Sequence, residues 1–261
     1  MIQLVATDFD GTIHDAGAVP CIAPALLEWI DASRREGLRW VVSTGRELTD
    51  LTGRLRESGS GVMPDFVVSV EREIHILDGN GYRPHAGWNS ACQQDHQALF
   101  EKSADSIGRM RAWIQENSGA RVFEDAWSPL CVAASTMEEA DAIHEWIGME
   151  CLKRSPLVVV RNTHYFRLGH RSYSKGTALG EIARIAGASR EEIFAAGDHY
   201  NDLPMLDGTH AACVAAPANA VPEVQAMVHR AGGYLAKQPG ALGTLEALNF
   251  FRARARASTP A

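Results

Sequence analysis

Residues 3–12 read Q-L-V-A-T-D-F-D-G-T. Gln3 to Thr7 is a short β-prone run, and it delivers Asp8 and Asp10 into a turn that Gly11 permits. Downstream, Ile22, Leu26, Trp29 and Ile30 recur at helical spacing, with Gly37 as a stop. Leu38 to Val42 is a second apolar strand and runs into S-T-G-R at 43–46. Leu48, Leu51 and Leu55 mark another helix, and Phe66 to Val70 a third strand. Strands that alternate with helices through short loops predict an α/β fold built on a doubly wound parallel sheet.

From Ile74 the period changes. Ile74 to Leu77 and the turn D-G-N-G at 78–81 open a hairpin. A long polar helix is expected over 94–117, strands near 121–124 and 130–134, a helix over 137–147, and strands at 157–160 and 165–168. Paired strands beside helices predict a separate α+β unit. The alternation returns with a helix around Ala178, Leu179, Ile182 and Ile185, and a capping box S-R-E-E at 189–192. A strand at 193–196 then enters G-D-H-Y-N-D at 197–202. A strand over 211–215 and helices near 220–227 and 241–251 complete the pattern, and the arginine-bearing tail from Arg252 is expected to fray. The predicted organisation is a core of 1–82 and 171–261 interrupted by a cap domain of 83–170.

Composition narrows the function. The 261 residues are 46% apolar and 22% charged, with a net charge of −7, so no basic footprint for nucleic acid is expected. Five cysteines at 21, 92, 131, 151 and 213 show no C-x-x-C spacing, which argues against a disulfide framework and for a reducing compartment. No apolar run approaches the roughly 18 residues of a membrane span. A strand that starts at Leu4 leaves no room for a signal peptide, so a cytoplasmic address and no membrane partner are expected. Nothing in the sequence sets an oligomeric state. No Walker-type or dinucleotide fingerprint calls for ATP or NAD.

The chemistry resides in polar clusters that interrupt apolar runs. Asp8 and Asp10 follow the first strand, Thr44, Gly45 and Arg46 the second, and Asp198, Asn201 and Asp202 a later one, while Lys175 opens a helix. Ligands of open α/β sheets bind outside the carboxyl ends of the strands, so these clusters converge. Taken singly each has a plain reading: a capping turn for the aspartates, a surface ion pair for Arg46, a solvated helix lysine for Lys175. Together, four carboxylates in one crevice would repel, and a hard divalent cation with oxygen ligands resolves this. Lys175, Arg46, the Thr44 hydroxyl and the Gly45 and Arg46 amides at a helix N-terminus add a pocket suited to a phosphoryl group. His14 and His199 adjoin the motifs and read as loop-lining.

With D-F-D-G-T, S-T-G-R, S-K-G-T at 174–177 and G-D-H-Y-N-D in that order, the sequence resembles the haloacid dehalogenase superfamily, in its Cof-type, sucrose-phosphatase-like branch. The resemblance implies a Mg²⁺-dependent phosphatase acting on a small phosphorylated substrate such as a sugar phosphate. It implies Asp8 as nucleophile and Asp10 as general acid and base. Thr44 and Lys175 would hold the phosphoryl oxygens, with Gly45 and Arg46 as further phosphate contacts and Asn201 either bonding phosphate or fixing the loop. The metal set would be Asp8, the backbone carbonyl of Asp10, and Asp198, with Asp202 supporting the metal shell or orienting Lys175. Arg72, Arg83, His85, Trp88, His164, Arg167, His170 and Arg171 are candidates for reading the rest of the substrate, under a cap expected to close over the site. The branch often has N-G-A where this chain has V-E-R-E at 70–73, and an acidic stretch where this chain has R-L-G-H at 167–170; both departures are expected to lie away from the core chemistry. A phosphomutase of the same branch and a non-catalytic sugar-phosphate sensor are the competing functions. The sensor fits poorly with retention of Asp8, Asp10 and Lys175.

Overall fold

The apolar runs that carry the motifs become the interior of one sheet. In the computed structural model, which describes residues 1–59 and 61–257, the chain begins with β1 (Leu4–Asp8), α1 (Pro24–Arg35), β2 (Arg39–Ser43), α2 (Leu48–Glu57) and β3 (Phe66–Ser69). β4 (Glu73–Asp78) and β5 (Gly81–Pro84) follow as a hairpin. Next come α3 (Ala86–Lys102), α4 (Ala104–Asn117), β6 (Arg121–Asp125), β7 (Ser128–Ala133), α5 (Met137–Leu152), β8 (Leu157–Asn162) and β9 (Tyr165–His170). The last stretch holds α6 (Lys175–Ala186), β10 (Ile193–Ala196), α7 (Leu203–Leu206), β11 (Cys213–Ala216), α8 (Pro222–Arg230), β12 (Tyr234–Leu235) and α9 (Gly240–Ala257).

The first and last stretches form an eight-stranded sheet in the order β12-β11-β10-β1-β2-β3-β4-β5. Its first six strands are parallel, and β4 and β5 are antiparallel. β1, β3 and β10 are buried along their whole length, as a parallel sheet covered on both faces requires. Val5, Phe9, Ile30, Trp40, Val42, Phe194, Leu248 and Phe251 share its core. The buried indole of Trp40 donates to the Thr7 hydroxyl at 3.2 Å, so the one polar atom of the ring is satisfied. Register fixes the site: Asp8 pairs with Ser43 and Thr7 with Ala196, so β10, β1 and β2 end in step.

The chain divides into two compact units, Met1–His85 with the chain from Lys175, and Ala86–Ser174. Within the second, four antiparallel strands lie in the order β6-β7-β9-β8. One face of that sheet gives Leu130, Val132, Leu157, Phe166 and Leu168 to a core shared with Ile107, Met110 and Ile114 of α4 and Ala140, Ile143 and Ile147 of α5.

Three local readings change. The helix expected over 94–117 is two helices that break at the buried Ser103, and both still reach one core through Leu99 and Ile107. The tail expected to fray from Arg252 is helical through Ala257, with the Arg252 guanidinium 5.7 Å from the Trp29 ring centroid; residues 258–261 lie outside the described residues. The two-residue strand β12 has no apolar run of its own to announce it and pairs with β11 through Ala215 and Ala216. Among the described residues no helix is long and apolar enough to cross a membrane.

Candidate active site

Lys175 begins α6, and its ammonium is fully buried. Its Nζ donates to Asp8 Oδ1 at 2.6 Å and to Asp202 Oδ1 at 2.7 Å, with a Glu71 oxygen at 3.6 Å. Asp202 is consumed on both sides, because its Oδ2 accepts the amides of Asp198 at 2.9 Å and His199 at 3.0 Å. Asp202 therefore bonds Lys175 with one oxygen and closes its own loop with the other. Asp198 is held from elsewhere: Thr12 donates its hydroxyl to Oδ1 at 2.9 Å, and Asn219 approaches Oδ2 at 3.4 Å while donating to the Gly11 carbonyl at 2.9 Å.

Asp8, Asp198 and Asp202 each present one oxygen, and these oxygens lie within 4.8 Å of one another. Burial pushes the Asp8 carboxyl well above the ordinary carboxylate range, Asp202 and Asp198 push it further, and Lys175 only partly offsets them. Burial and Asp202 likewise raise Asp198 to about 7. Lys175 loses solvation, but Asp202, Asp8 and Glu71 more than compensate and hold it well above an ordinary lysine. One ammonium thus faces a surplus of carboxylates. Oxygen-only donors with excess negative charge fit a hard divalent cation. Gly11 makes the approach possible: its φ is 81°, and a Cβ there would stand 2.3 Å from Asp198 Oδ2.

Asp10 is placed differently. Arg46 grips it with two bonds, Nε to Oδ2 at 2.6 Å and Nη2 to Oδ1 at 2.8 Å, and His14 Nδ1 lies 3.1 Å from Oδ1. Its side chain stands outside the three-carboxylate group, and the ligand expected from Asp10 is its backbone carbonyl. Arg46 also contacts Asp50, and the Asp10 and Asp50 bonds raise the guanidinium above its ordinary value. The His14 ring stacks on Phe9 with centroids 4.6 Å apart, a loop-lining role.

Thr44 is buried, and its hydroxyl accepts the Arg46 amide at 3.2 Å. The expectation that the Gly45 and Arg46 amides open a helix needs correction. α2 starts at Leu48 after the N-cap Glu47, so both amides precede it. Asn201 is buried and gives its Nδ2 to Glu71 Oε1 at 3.0 Å. The expectation that V-E-R-E lies away from the core chemistry also needs correction, because Glu71 touches both Asn201 and Lys175. Arg72, Arg83 and His85 belong to the first unit, where His85 pairs with Glu181 at 3.0 Å; Trp88, His164, Arg167, His170 and Arg171 belong to the second.

Sequence reasoning missed Glu71, Asn219 and the specific work of Thr12. Thr12 lies inside a quoted motif, and Asn219 follows β11 at the same edge of the sheet, a positional signal that could have found it. Glu71 follows β3 at that same edge and carries the same positional signal, which the departure of V-E-R-E from the family pattern masked.

A buried lysine among aspartates at the ends of two adjacent parallel strands, β10 and β1, with Thr44 and Arg46 after the neighbouring β2, makes up the core of a phosphatase of the haloacid dehalogenase superfamily, whose solved structures share the fold. The chain belongs to the sucrose-6F-phosphate phosphohydrolase family, whose model matches residues 2–252. It is 38% identical to YxeH of Bacillus subtilis (strain 168) across 86% of this chain and 90% of that one. It is 27% identical to a phosphoglycolate phosphatase of Thermoplasma volcanium, across 86% and 89%. The sucrose-phosphatase of Synechocystis, solved with sucrose and phosphate, superposes with a TM-score of 0.72 at 19% identity, covering 97% of this chain and 99% of that one.

Proposed function

We propose that this phosphatase hydrolyses a phosphate monoester of a small metabolite, a sugar phosphate, through an aspartyl-phosphate on Asp8 with Mg²⁺ bound beside it. The observation that carries the reading is the Asp8–Lys175–Asp202 chain next to Asp198, a surplus of buried carboxylates with one ammonium. Asp8, Asp198 and the Asp10 carbonyl would hold the cation, with Asp202 behind. Bound there, Mg²⁺ supplies positive charge against the phosphoryl oxygens and the carboxylates.

An Asp8 oxygen bonds to phosphorus as the ester P–O bond breaks, and the leaving oxygen takes a proton from Asp10. Water then attacks the acyl phosphate, gives its proton to Asp10, and frees Asp8 and inorganic phosphate. Lys175 and the Thr44 hydroxyl hold the phosphoryl oxygens throughout. Asp10 acts after parting from Arg46, and an arriving phosphate offers that guanidinium another anion to bond. The sugar-phosphate class is supported by the family's description and by the sucrose bound in the Synechocystis relative. The phosphoglycolate phosphatases among the relatives make small phosphorylated acids the first comparison set.

The test is phosphate release from a panel of sugar phosphates and phosphorylated acids, with Mg²⁺ and with chelator. Metal-dependent release from a group of sugar phosphates is expected. Release from none, or ester interconversion without free phosphate, would overturn the hydrolase reading and point to a mutase.

A further inference from the structure

The turn between β3 and β4 carries a residue that its backbone does not favour. Val70 and Glu71 are both left-handed, with φ of 44° and 72°. Two consecutive residues at positive φ suit Asn-Gly, and a β-branched valine followed by glutamate is strained there. Strain of this kind persists where the surroundings hold it in place, and it clusters at functional sites. The turn is tied to the loop after β2, since Val70 donates to the Arg46 carbonyl at 3.0 Å and Glu71 to the Thr44 carbonyl at 2.9 Å.

The side chain explains what the strain secures. Glu71 is 8% exposed, Asn201 5% and Lys175 1%. Glu71 Oε1 accepts from Asn201 Nδ2 at 3.0 Å, and Oε2 lies 3.6 Å from Lys175 Nζ. A carboxylate oxygen can only accept from an amide, so this contact decides which way the Asn201 amide faces. The Asn201 carbonyl is left buried without a hydrogen-bond partner among the described residues. Gly45 leaves the room: a Cβ there would stand 2.6 Å from Glu71 Oε1. Glu71 thus links three places: its amide holds the loop after β2, and its carboxylate meets the loop after β10 and the first residue of α6.

We propose that Glu71 is a positioning residue of the phosphoryl site, which sets the Lys175 ammonium and fixes the orientation of the Asn201 amide. The proposal rests on the phosphatase reading above, in which Lys175 holds the phosphoryl group. Glu71 touches no reacting atom in that reading. It acts through Lys175 and Asn201.

Glu71→Gly is the informative variant, because glycine suits the left-handed backbone while the carboxylate is lost. Its kcat/KM toward the best substrate of the panel is expected to fall about tenfold to a hundredfold. Inhibition by inorganic phosphate should weaken, while Tm stays at or above the wild-type value. Glu71→Gln keeps the size and an acceptor for Asn201, and should restore most of the loss. In an Asn201→Ala background, Glu71→Gly should cost less than it does alone. Wild-type kinetics in Glu71→Gly, or tighter inhibition by phosphate, would overturn the proposal, the latter by marking Glu71 as a repulsive charge only. If Glu71→Gly lowers Tm, Glu71→Asn, which also tolerates this backbone, is measured instead with the same two outcomes. Wild type and Asp8→Asn are run alongside. A wild type that releases no phosphate overturns the phosphatase reading, and calorimetric binding of inorganic phosphate to wild type and Glu71→Gly then decides on Glu71.

Discussion

The two units each contain an ionic cluster, and the clusters differ in how their charges balance. In the second unit Arg167 Nη2 meets Asp125 Oδ2 at 2.6 Å, and the Trp127 and Ser128 amides each donate to Asp125 Oδ1 at 2.8 Å. The guanidinium lies 5.6 Å from the Trp127 ring centroid and 5.5 Å from that of Tyr165. Burial works against the Asp125 carboxylate, yet Arg167 and the Trp127 amide hold it below its ordinary range. One anion meets one cation, and each is stabilised in its charged form. In the first unit the same chemistry is left unequal, and burial lifts Asp8 and Asp198 instead. A balanced pair serves the fold; an unbalanced cluster is set to receive something.

The largest expected effect of breaking that contrast is on catalysis. Asp8→Asn removes the proposed nucleophile and one surplus charge, so phosphate release should fall by about four orders of magnitude or more while Tm does not fall. Full activity in that variant would refute the aspartyl-phosphate. Lys175→Met leaves buried carboxylates facing one another, and denaturant unfolding in chelator should show a loss of about 3–5 kcal/mol. Saturating Mg²⁺ should recover part of it. Arg167→Met strands a carboxylate that keeps two amide donors and some solvent, so the loss should be nearer 2 kcal/mol. Adding Mg²⁺ should shift the Tm of that variant as it does the wild type.

The smallest effect is a pH signature. The folded protein keeps a proton on Asp198 up to about 7, whereas the unfolded chain releases it near 3.8. Between those values the folded state binds more protons, and the raised Asp8 carboxyl adds to the excess, so stability of the chelated protein should decline as pH rises through that window. The loss should appear as a few degrees in Tm, recovered by Mg²⁺ above the window and not below it. A chelated protein that gains stability with pH across that range would contradict the carboxylate surplus.

Much of the first unit was legible because its central strands are almost wholly buried, β1, β3 and β10 along their whole length and β2 beyond Arg39. Val5, Val41 and Phe194 belong to short apolar runs that end abruptly in polar clusters, and in a parallel sheet that ending marks the functional edge. The partners of those clusters were less legible. Glu71 meets Lys175 and Asn201 across more than a hundred positions of sequence, and only the closed turn after β3 brings them together. The grip of Arg46 on Asp10 was hidden for the same reason, since neither residue type at that separation announces a bidentate pair. Ser103 shows a different limit. Its neighbours suit a helix on both sides, and what breaks α3 from α4 is the need of both to reach one core.

The place of β1 also bears on how the chain is made. Its neighbours in the sheet are β2, close behind it, and β10, which starts at Ile193. At ribosomal speeds of about 5–20 residues per second, the nascent chain waits on the order of ten seconds between completing β2 and supplying β10. During that interval one edge of β1 has no strand to pair with and is open to pairing with another chain. The 86–174 unit emerges within the same interval, with a core of its own to close. Synthesis halted before residue 193 should therefore yield a folded second unit and an aggregation-prone first one, a difference that limited proteolysis of stalled chains can read.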